Sequence, residues 1–496
     1  MLQLALDPCG PLNRSVYAAL RAAILERRIV PGSKLPSSRA LAADLGVSRN
    51  TVLYAYEQLA AEGYVETRVG SGTYVVDSPL VGSVLAQRRR SRRGEGRRRL
   101  SSLGVRLSRD RSLGHGRGNT RREALPHDFR FAGAGHERET LNVWARLVGR
   151  RARSLSRAPT GYQPPGGSPE LREALAGYLS RARGLTCRPE QIVVTQGSQQ
   201  GIDLCLRLLV EAGDRVVVEE PHYAGYGSCL HACGAAVSYV PVDAAGMQVE
   251  LVAELEAAKV ACVTPSHQFP TGGVMPLSRR LRLLDWARQN GTVVLEDDYD
   301  GEFRHEGPPI ECLQSLDQNE QVIYLGTASR MLFPALRIGW AVAPEDLVNA
   351  FQRLKAIADR DTSSLEQLVL ADFISGGWLE RHVRRARKRY AVRRTAFLEG
   401  IRSELGTRAE LVGASAGTHA LLRLPELPAS RFASLRRACQ QRGVGIYSAD
   451  ECYAQPPECV ALLAGYASLA ERDIVVGVRK LREALDSLGK SSGAPP

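Results

Sequence analysis

Two groups of polar residues in the C-terminal half of the chain have the chemistry of a phosphate site. The segment TQGSQQGIDL places Ser198 and Gln199 at a strand-to-helix turn, where the free backbone N–H groups of a helix N-terminus can hold a phosphate. The segment GTASRMLFPALR adds the hydroxyls of Thr327 and Ser329 and the guanidinium of Arg337. A guanidinium meets phosphate oxygens through charge-assisted hydrogen bonds. Together these residues predict a site for a phosphorylated small molecule.

Short apolar strands separated by helical segments must position these residues. The strand-like runs are IVVT at 192–195, RVVVEEP at 215–221, VACVTP at 260–265, TVVLEDD at 292–298 and VIYLG at 322–326. Strands that alternate with helices predict an α/β domain with a mostly parallel sheet, covered on both faces. Ligands of such sheets bind beyond the carboxyl ends of the strands, which is where the candidate motifs lie.

The N-terminal segment has a different pattern, that of a small α+β module. Apolar residues recur at helical spacing over 14–29, and two short helical segments, SRALAADLG and RNTVLYAYEQLAAEG, follow on either side of a turn at Gly46. Ser37 or Ser38 is suited to cap the first of these helices, and Ser48 the second. The run YVETRVGSGTYVV then alternates as two strands broken by a glycine turn, which predicts a hairpin wing. The module is therefore expected to be a winged helix-turn-helix.

Polar side chains at the start of the two short helices are candidates for contact with duplex DNA. There, backbone N–H groups favour a phosphate and side chains can reach base edges. Arg68, beside the wing, is placed to reach a minor groove or a phosphate. The serine caps have a structural role whether or not DNA is present. The predicted DNA-binding residues are Ser38, Arg39, Ser48, Arg49, Asn50, Thr51, Tyr54, Arg68, Gly70 and Gly72.

The positive charge of the chain is concentrated in one segment. The formal net charge is +13, and residues 88–123 contain 14 arginines against three acidic residues. Few apolar residues lie there, so residues 79–126 are expected to be a flexible linker. Its charge is either simply solvated or strengthens nonspecific DNA binding in a salt-dependent way.

Length and composition favour a cytoplasmic protein of two or three units. No apolar run of the 496 residues approaches the roughly 18 needed to span a membrane, and the first residues lack a basic secretory start. The ten cysteines include no CxxC pair, which favours reduced thiols. Cys229 and Cys233, with His231 between them, are interpreted as ordinary packing residues, and no metal site is expected.

Several motifs resemble known families. Residues 12–76, above all PGSKLPSSRALAADLGVSRNTV, resemble the winged helix of GntR-family bacterial transcription regulators. Residues 128–486 resemble aminotransferases of fold type I, which bind pyridoxal phosphate (PLP). This second resemblance is carried by YQPPGGSPELREALAGYLSRARG at 162–184 and by the motifs TQGSQQGIDL, EEPHYAGY, TPSHQFPTGGVM, LEDDYDGEF and VIYLGTASRMLFPALRIGW.

The aminotransferase resemblance implies roles for individual residues. Tyr223 would stack on the pyridine ring, Asp297 would pair with the ring nitrogen, and Tyr299 would bond the ring oxygen, with His267 in the ring-proximal loop. Taken singly, Tyr223 can be a core residue, Asp297 a helix cap and Arg337 the partner of any acid, but their joint order favours the site. The implied cofactor-binding residues are Ser198, Gln199, Tyr223, His267, Asp297, Tyr299, Thr327, Ser329, Arg330 and Arg337.

The order of these parts resembles the MocR/PdxR subfamily of GntR-type regulators, to which FISGGWLERHVRRARKRYAVRR at 373–394 is also similar. The resemblance implies a head-to-tail homodimer that binds operator DNA and senses PLP, or an amino compound through PLP, as its small-molecule effector. The expected domains are the winged helix at 1–78, the linker at 79–126, a large aminotransferase-like domain at 127–395, a small one at 396–486 and a disordered tail at 487–496.

Arg330 is the main departure, because it stands where the family carries the lysine that holds PLP as an imine. Arginine does not deprotonate near neutral pH, so it cannot be that nucleophile. Transamination also needs the amine to move a proton, so the protein is not expected to be an enzyme. The segment LLAGYASL lacks the arginine that clamps a substrate carboxylate, and Gly225 offers no side chain to a substrate.

Three hypotheses about the site stay open at this point. PLP or pyridoxamine phosphate (PMP) binds without a covalent bond, or Arg330 contacts an anion of a different phosphorylated or carboxylated metabolite. Alternatively Arg330 is drift in a chain in which only six of 66 basic residues are lysines, and the regulator works without an effector. A working aminotransferase is disfavoured, since it would leave the winged helix unexplained.

Overall fold

The computed structural model describes residues 4, 6, 10–77, 99–109, 125–131, 137–154, 161–305, 310–413 and 416–490. The chain divides into two compact units, Met1–Leu100 and Ser101–Pro496. No helix among the residues so described is long and apolar enough to cross a membrane.

The N-terminal unit is a winged helix-turn-helix, as predicted. Its elements are α1 (Leu12–Leu25), α2 (Ser38–Leu45), α3 (Arg49–Ala61), β1 (Val65–Arg68) and β2 (Gly72–Val75). The Ser37 hydroxyl accepts from the Ala40 amide and the Ser48 hydroxyl from the Thr51 amide, each at 3.2 Å, so both caps form. Gly46 ends α2 with a φ of 67°, the left-handed conformation that glycine adopts without steric cost. The two strands pair antiparallel to form the wing.

An eight-stranded sheet forms the centre of the C-terminal unit. Its strands are β4 (Ile192–Thr195), β5 (Arg215–Glu220), β6 (Ala236–Asp243), β7 (Gly246–Met247), β8 (Val260–Val263), β9 (Val293–Asp298), β10 (Val322–Thr327) and β11 (Gly339–Val342). Their order is β4-β11-β10-β9-β8-β5-β6-β7. The five predicted strands are present, and β10, β9, β8, β5 and β6 run parallel.

The antiparallel strand β11 was not predicted, and it matters for the site. It lies between β4 and β10, and Gly339 pairs with both Thr195 and Thr327. This pairing brings the loop after β4 beside the loop after β10. The two halves of the predicted phosphate site, far apart in sequence, are therefore neighbours.

Helices cover both faces of the sheet. The large helices and the short ones near the site are α4 (Ser102–Arg109), α5 (Arg138–Ser154), α6 (Pro169–Arg183), α7 (Ser198–Leu209), α8 (Ala224–Cys233), α9 (Leu277–Asn290), α10 (Ala328–Met331), α11 (Glu345–Asp359), α12 (Ser364–Ser375) and α13 (Trp378–Leu405). Alternate strand residues face opposite sides: in β10, Tyr324 packs in the core beneath α6 and α12, whereas Ile323 and Leu325 pack beneath α7 and α8.

A smaller antiparallel sheet lies C-terminal to the large one. It contains β12 (Glu410–Val412), β13 (His419–Pro428) and β15 (Cys459–Gly465), while β3 (His127–Asp128) pairs with β14 (Val444–Gly445). Two helices, α14 (Phe432–Gln441) and α15 (Glu471–Lys490), pack on it. The expected boundary between residues 395 and 396 falls within the continuous helix α13 and stays a prediction.

Part of the predicted flexible linker is a helix that packs on the C-terminal unit. In α4, Arg106 donates to the Ala232 carbonyl from Nη2 at 2.6 Å and from Nε at 3.2 Å. The Arg106 carbonyl oxygen lies 3.2 Å from Nε2 of His231. The expectation of a flexible linker is therefore wrong for residues 102–109, because a tertiary contact at the end of α8 supports a helix there. Residues 79–98 and 110–124 of the expected linker lie outside the described part of the chain.

The expected C-terminal tail also begins later than predicted. Helix α15 continues to Lys490, so residues 487–490 are helical. Residues 491–496 lie outside the described residues.

Candidate functional site

The loop after β4 and the turn before β11 form one end of the site. Gly197 is the N-cap of α7 with a φ of 85°, and Arg337 has a φ of 52°. Nη2 of Arg337 donates to the Gln196 carbonyl at 2.6 Å. A Cβ at position 197 would lie 2.9 Å from that nitrogen, and the positive φ strains any residue other than glycine there. A cation thus lies against the N-terminus of α7, an arrangement suited to a phosphate.

Two hydroxyls at the end of β10 complete this end. The Thr327 hydroxyl accepts from the Ser329 amide at 3.2 Å, which caps α10, and it donates to the Ile338 carbonyl at 3.3 Å. The Ser329 hydroxyl is buried and has no hydrogen-bond partner among the described residues. It is therefore able to donate to a ligand oxygen.

A cavity of about 160 Å³ connects these groups to the ends of β5 and β9. It contains nine of the ten predicted cofactor-binding residues, so the structure brings motifs from the whole unit to one place. Apolar residues that the sequence did not single out complete the wall. The cavity is lined by Phe131, Ser198, Gln199, Tyr223, Phe269, Asp297, Tyr299, Thr327, Ser329, Arg330, Pro334 and Arg337.

Tyr223 is held in place by the first turn of α7. Its hydroxyl donates to Oε1 of Gln199 at 3.0 Å, and Nε2 of Gln199 donates to the Gly225 carbonyl at 3.2 Å. A Cβ at position 225 would lie 2.2 Å from Oε1 of Gln199. Gly225 therefore has a structural reason to be glycine, in addition to offering no side chain to a substrate.

Asp297 is a buried carboxyl with an unmet hydrogen-bonding atom. Its Oδ1 has no partner among the described residues. Burial, followed by the charges of Asp298 and Asp300, raises the pKa of Asp297 to about 7, although Arg330 opposes the rise. A protonated ring nitrogen would satisfy this carboxylate and lower its pKa. The residues present thus fit the pyridine ring of PLP at this end of the cavity.

His267 is not among the residues that line the cavity, and its expected place beside the ligand stays a prediction. Its Nδ1 lies 2.7 Å from the Tyr299 hydroxyl and 2.8 Å from Oδ1 of Asp300. The histidine therefore positions Tyr299, which does line the cavity. Ligand-type atoms of His267, Asp300 and His419 come within 4.8 Å of one another. However, burial, followed by the charges of His267 and Arg330, holds the pKa of His419 well below its ordinary value. The charge of Arg330 also opposes a second cation there.

Arg330 projects into the cavity and stacks on an aromatic ring. Its Cζ lies 3.7 Å from the centroid of Phe131, a distance at which the cation contacts the ring face. Burial lowers the pKa of Arg330, and the strongest opposing charge is that of Asp300. A guanidinium nevertheless stays protonated in proteins. Position 330 is thus a fixed cation in the cavity.

No lysine among the described residues lines the cavity. Lys355, one of the lysines nearest in sequence, is fully buried elsewhere. Its Nζ donates to Oδ1 of Asp359 at 2.6 Å and to the Thr362 hydroxyl at 3.1 Å. The described wall therefore offers no amine to an aldehyde.

Four of the predicted DNA-binding side chains within the two short helices of the N-terminal unit are exposed. Arg39, Arg49, Asn50 and Tyr54 are exposed on α2 and α3. Nε of Arg49 donates to the Ser38 hydroxyl at 3.3 Å, which connects the two helices. Arg39, Arg49 and Asn50 lie in the first turns of their helices.

The remaining predicted DNA-binding residues support the caps and the wing. The hydroxyls of Ser48 and Thr51 lie 2.8 Å apart within the α3 cap. In the wing, Nε of Arg68 donates to Glu66 at 2.8 Å, and its Cζ lies 4.7 Å from the Tyr74 centroid. The wing glycines, Gly70 and Gly72, have positive φ angles, so the turn requires them. Their contact with DNA stays a prediction.

Comparison with known proteins agrees with this two-part architecture. Residues 12–75 match the family of bacterial regulatory proteins called gntR, and residues 132–461 match aminotransferase class I and II. The chain is 36% identical over 498 residues to the probable rhizopine catabolism regulatory protein MocR of Rhizobium meliloti, covering 100% of this chain and 98% of that one. The chain belongs to the MocR group of GntR-type transcription regulators. The resemblance drawn from the sequence motifs is thereby confirmed.

Other relatives of this MocR-type chain include a regulator and two enzymes. It is 32% identical over 427 residues to the pyridoxine biosynthesis transcriptional regulator PdxR of Corynebacterium glutamicum, covering 85% of each chain. A kynurenine aminotransferase of Pyrococcus horikoshii, solved with PMP, shares 26% identity with a TM-score of 0.68, over 82% of this chain and 99% of that one. LysN of Thermus thermophilus, complexed with N-(5'-phosphopyridoxyl)-L-leucine, shares 27% with a TM-score of 0.69, over 79% and 100%.

Proposed function

We propose that this MocR-type regulator binds operator DNA through its N-terminal unit and senses PLP or a related phosphorylated anion in the cavity around Arg330. The ligand binds without a covalent bond to position 330, and the protein has no transaminase activity. The observation that carries the proposal is a fixed cation at position 330 inside a cavity that keeps its partners for a ring and a phosphate. The proposed location is the cytoplasm, where the protein forms a head-to-tail homodimer.

The residues proposed to contact the ring and the phosphate lower the stability of the folded protein if no ligand binds to them. Oδ1 of Asp297 and the hydroxyl of Ser329 are buried without partners among the described residues. A buried polar atom left unsatisfied costs about 1–3 kcal/mol. A phosphorylated pyridine satisfies both, which supports a ligand over simple decay of the site.

PLP supplies an electron sink for amino-acid chemistry when it is bound in an enzyme. In this chain the residues of the cavity can bind and orient it, with Tyr223 against the ring, Asp297 at the nitrogen and Arg337 at the phosphate. No group of the described wall can replace the lysine amine that moves the proton. We therefore expect these cavity residues to bind PLP without catalysing transamination.

A different phosphorylated or carboxylated metabolite is the second candidate ligand. The observation that favours it is Arg330 itself, which has no hydrogen-bond acceptor and no carboxylate within 4.0 Å among the described residues. An effector-independent regulator is the third possibility, and the arginine bias of the chain is the argument for it.

Absorption spectra and borohydride reduction test the covalent part of the proposal. We expect the full-length protein to retain PLP in equilibrium dialysis but to yield no reduced adduct in cavity peptides. Arg330→Lys is the matched variant, because it returns an amine to the same backbone position, and its reduced adduct should map to residue 330. A cavity adduct in the unaltered protein would overturn non-covalent binding. No retention of PLP would overturn PLP sensing.

Operator binding tests the regulatory part. A duplex selected by the full-length protein from a random-sequence pool serves as operator, and its affinity is measured with and without saturating PLP. We expect PLP to change the operator affinity of the unaltered protein. The operator affinity of Arg337→Met should not respond to the same PLP concentration. An operator affinity that ignores every cavity ligand would support the effector-independent alternative.

A further inference from the structure

The charges of the cavity can be matched one by one to a phosphorylated pyridine, and one of them is left over. Arg337 and the N-terminus of α7 face the phosphate end. Asp297 faces the ring nitrogen end with an unpaired Oδ1. With the ring oxygen assigned to Tyr299, the charge of Arg330 has no counterpart in the remaining ring substituent, since neither an aldehyde nor an alcohol is charged.

The surroundings of Arg330 leave its hydrogen-bond donors available. Its contact with Phe131 is a cation–π contact at 3.7 Å, which uses the charge but provides no acceptor atom. No described residue accepts a hydrogen bond from it or offers a carboxylate within 4.0 Å. A guanidinium has five N–H donors in a planar fork that matches a carboxylate with two parallel hydrogen bonds.

Asp300 does not supply the missing partner. It is the strongest of the charges that act on Arg330, but its Oδ1 is bonded to Nδ1 of His267 at 2.8 Å. Its other oxygen, Oδ2, has no hydrogen-bond partner among the described residues, so it does not reach the guanidinium. The attraction is exerted from a distance and leaves the donors of Arg330 unmet.

We infer that the effector of this protein is a phosphate ester of an aromatic heterocycle that carries a second acidic group, a carboxylate or comparable oxyanion, which Arg330 binds. The inference rests on the proposed function, and it names the ligand class of that same cavity. It also implies discrimination. A ligand with an ammonium group at the same ring position meets the like charge of Arg330 and binds more weakly than an uncharged analogue.

Three phosphorylated pyridines that differ in one substituent test the inference. The probes are 4-pyridoxic acid 5'-phosphate with a carboxylate, pyridoxine 5'-phosphate with an uncharged hydroxymethyl group, and PMP with an ammonium group. None of them can form an imine with a lysine. Calorimetric titration of the full-length protein at one pH and salt concentration gives three dissociation constants. We expect the carboxylate to bind tightest and the ammonium weakest, with about tenfold or more between them, as for charge-assisted hydrogen bonds.

Two variants separate the role of Arg330 from that of the phosphate end. Arg330→Met keeps an unbranched apolar stem but removes the charge and the donors, so the three probes should bind within about threefold of one another. Arg337→Met, the matched arginine of the same cavity, should weaken all three alike and keep their order. The tryptophan emission spectrum checks that each variant is folded, and the comparison in the unaltered protein stands without any variant.

The outcomes distinguish the inference from the proposed function. Equal affinities for the three probes, or tightest binding of PMP, overturn the inference that the effector carries a second acidic group. The proposed ligand site still stands in that case. Binding of none of the probes overturns the proposed small-molecule site, and the inference with it. The inference is supported if affinity falls in the order carboxylate, hydroxymethyl, ammonium in the unaltered protein and this order disappears in Arg330→Met.

Discussion

Replacing Arg183 by alanine should destabilise the C-terminal unit by about 3–5 kcal/mol, because it leaves a buried carboxylate without its counter-charge. The side chains of Arg183 and Asp298 are each 1% exposed, and Nε lies 2.6 Å from Oδ2. Arg183 also donates to the Ile310 carbonyl and to the Ser266 hydroxyl, each at 2.9 Å. Tyr324 donates to the same carboxylate oxygen at 2.8 Å. One change therefore leaves an unpaired charge and several unmet polar groups.

Arg181→Ala is the matched control, since it makes the same substitution two positions earlier in α6. Arg181 is 62% exposed and lies 2.9 Å from Glu380. An exposed ion pair of this kind contributes about 0–1 kcal/mol. Because both substitutions change arginine to alanine in the same helix, their difference reports the burial of the ion pair and not helix propensity.

Urea denaturation followed by tryptophan fluorescence measures both free energies of unfolding. All four tryptophans lie between residues 144 and 378, so the signal reports the C-terminal unit of the full-length protein. Free energies for the two variants that agree within about 1 kcal/mol would refute the assigned role of the buried pair. The double variant Arg183→Met with Asp298→Leu should be more stable than Arg183→Ala, because apolar replacement of both partners leaves no unpaired charge.

Four further expectations concern the DNA-binding unit, the basic segment and Asp297 in the cavity. Ser48→Ala should lower the midpoint of thermal unfolding of the N-terminal unit by the loss of about 1 kcal/mol of capping energy, and Ser48→Asp should largely restore it. Arg49→Ala should weaken duplex binding. Replacing residues 88–99 by a Gly/Ser stretch should flatten the dependence of log affinity on log salt concentration. An unchanged slope would contradict the proposed role of the basic segment. The raised pKa of Asp297, about 7, contributes stability that is fully present below the ordinary carboxyl pKa and is lost as the pH rises through about 7. Asp297→Asn should therefore gain stability relative to the unaltered protein as the pH rises from 5 to 8, and a constant difference in urea midpoints would count against this pKa.

The sequence predicted the polar part of the site well, for a physical reason. The strands of a parallel sheet are continuous apolar runs, and their carboxyl ends meet at one edge. Polar residues such as Ser198, Asp297 and Thr327, which follow such runs, were therefore expected near one another, and the cavity contains all three. What the sequence alone could not give was their hydrogen bonding. The resemblance gave Tyr299 a role at the ring oxygen, but it did not show that the Tyr299 hydroxyl also bonds His267.

Features that depend on packing between distant segments were missed. Phe131 has the sequence signature of any core residue, and only the folded chain places it against Arg330. The strand β11 is short, and its insertion between β4 and β10 is a matter of topology. Helix α4 lies in an arginine-rich segment with little apolar surface, and a helix of eight residues is marginal on its own. The contact of Arg106 with the Ala232 carbonyl is not visible in composition.

Helix α8 gives an experimenter one place from which two events can be observed. Tyr223, which lines the cavity, is its N-cap, and Arg106 of helix α4 bonds a carbonyl at its other end. Ten residues of α-helix are only about 15 Å long. In a hydrogen–deuterium exchange experiment, a single peptide over 224–233 therefore carries both amides near the ligand and amides near the linker. The labelling of this peptide with and without ligand shows whether the contact with helix α4 loosens when the ligand binds.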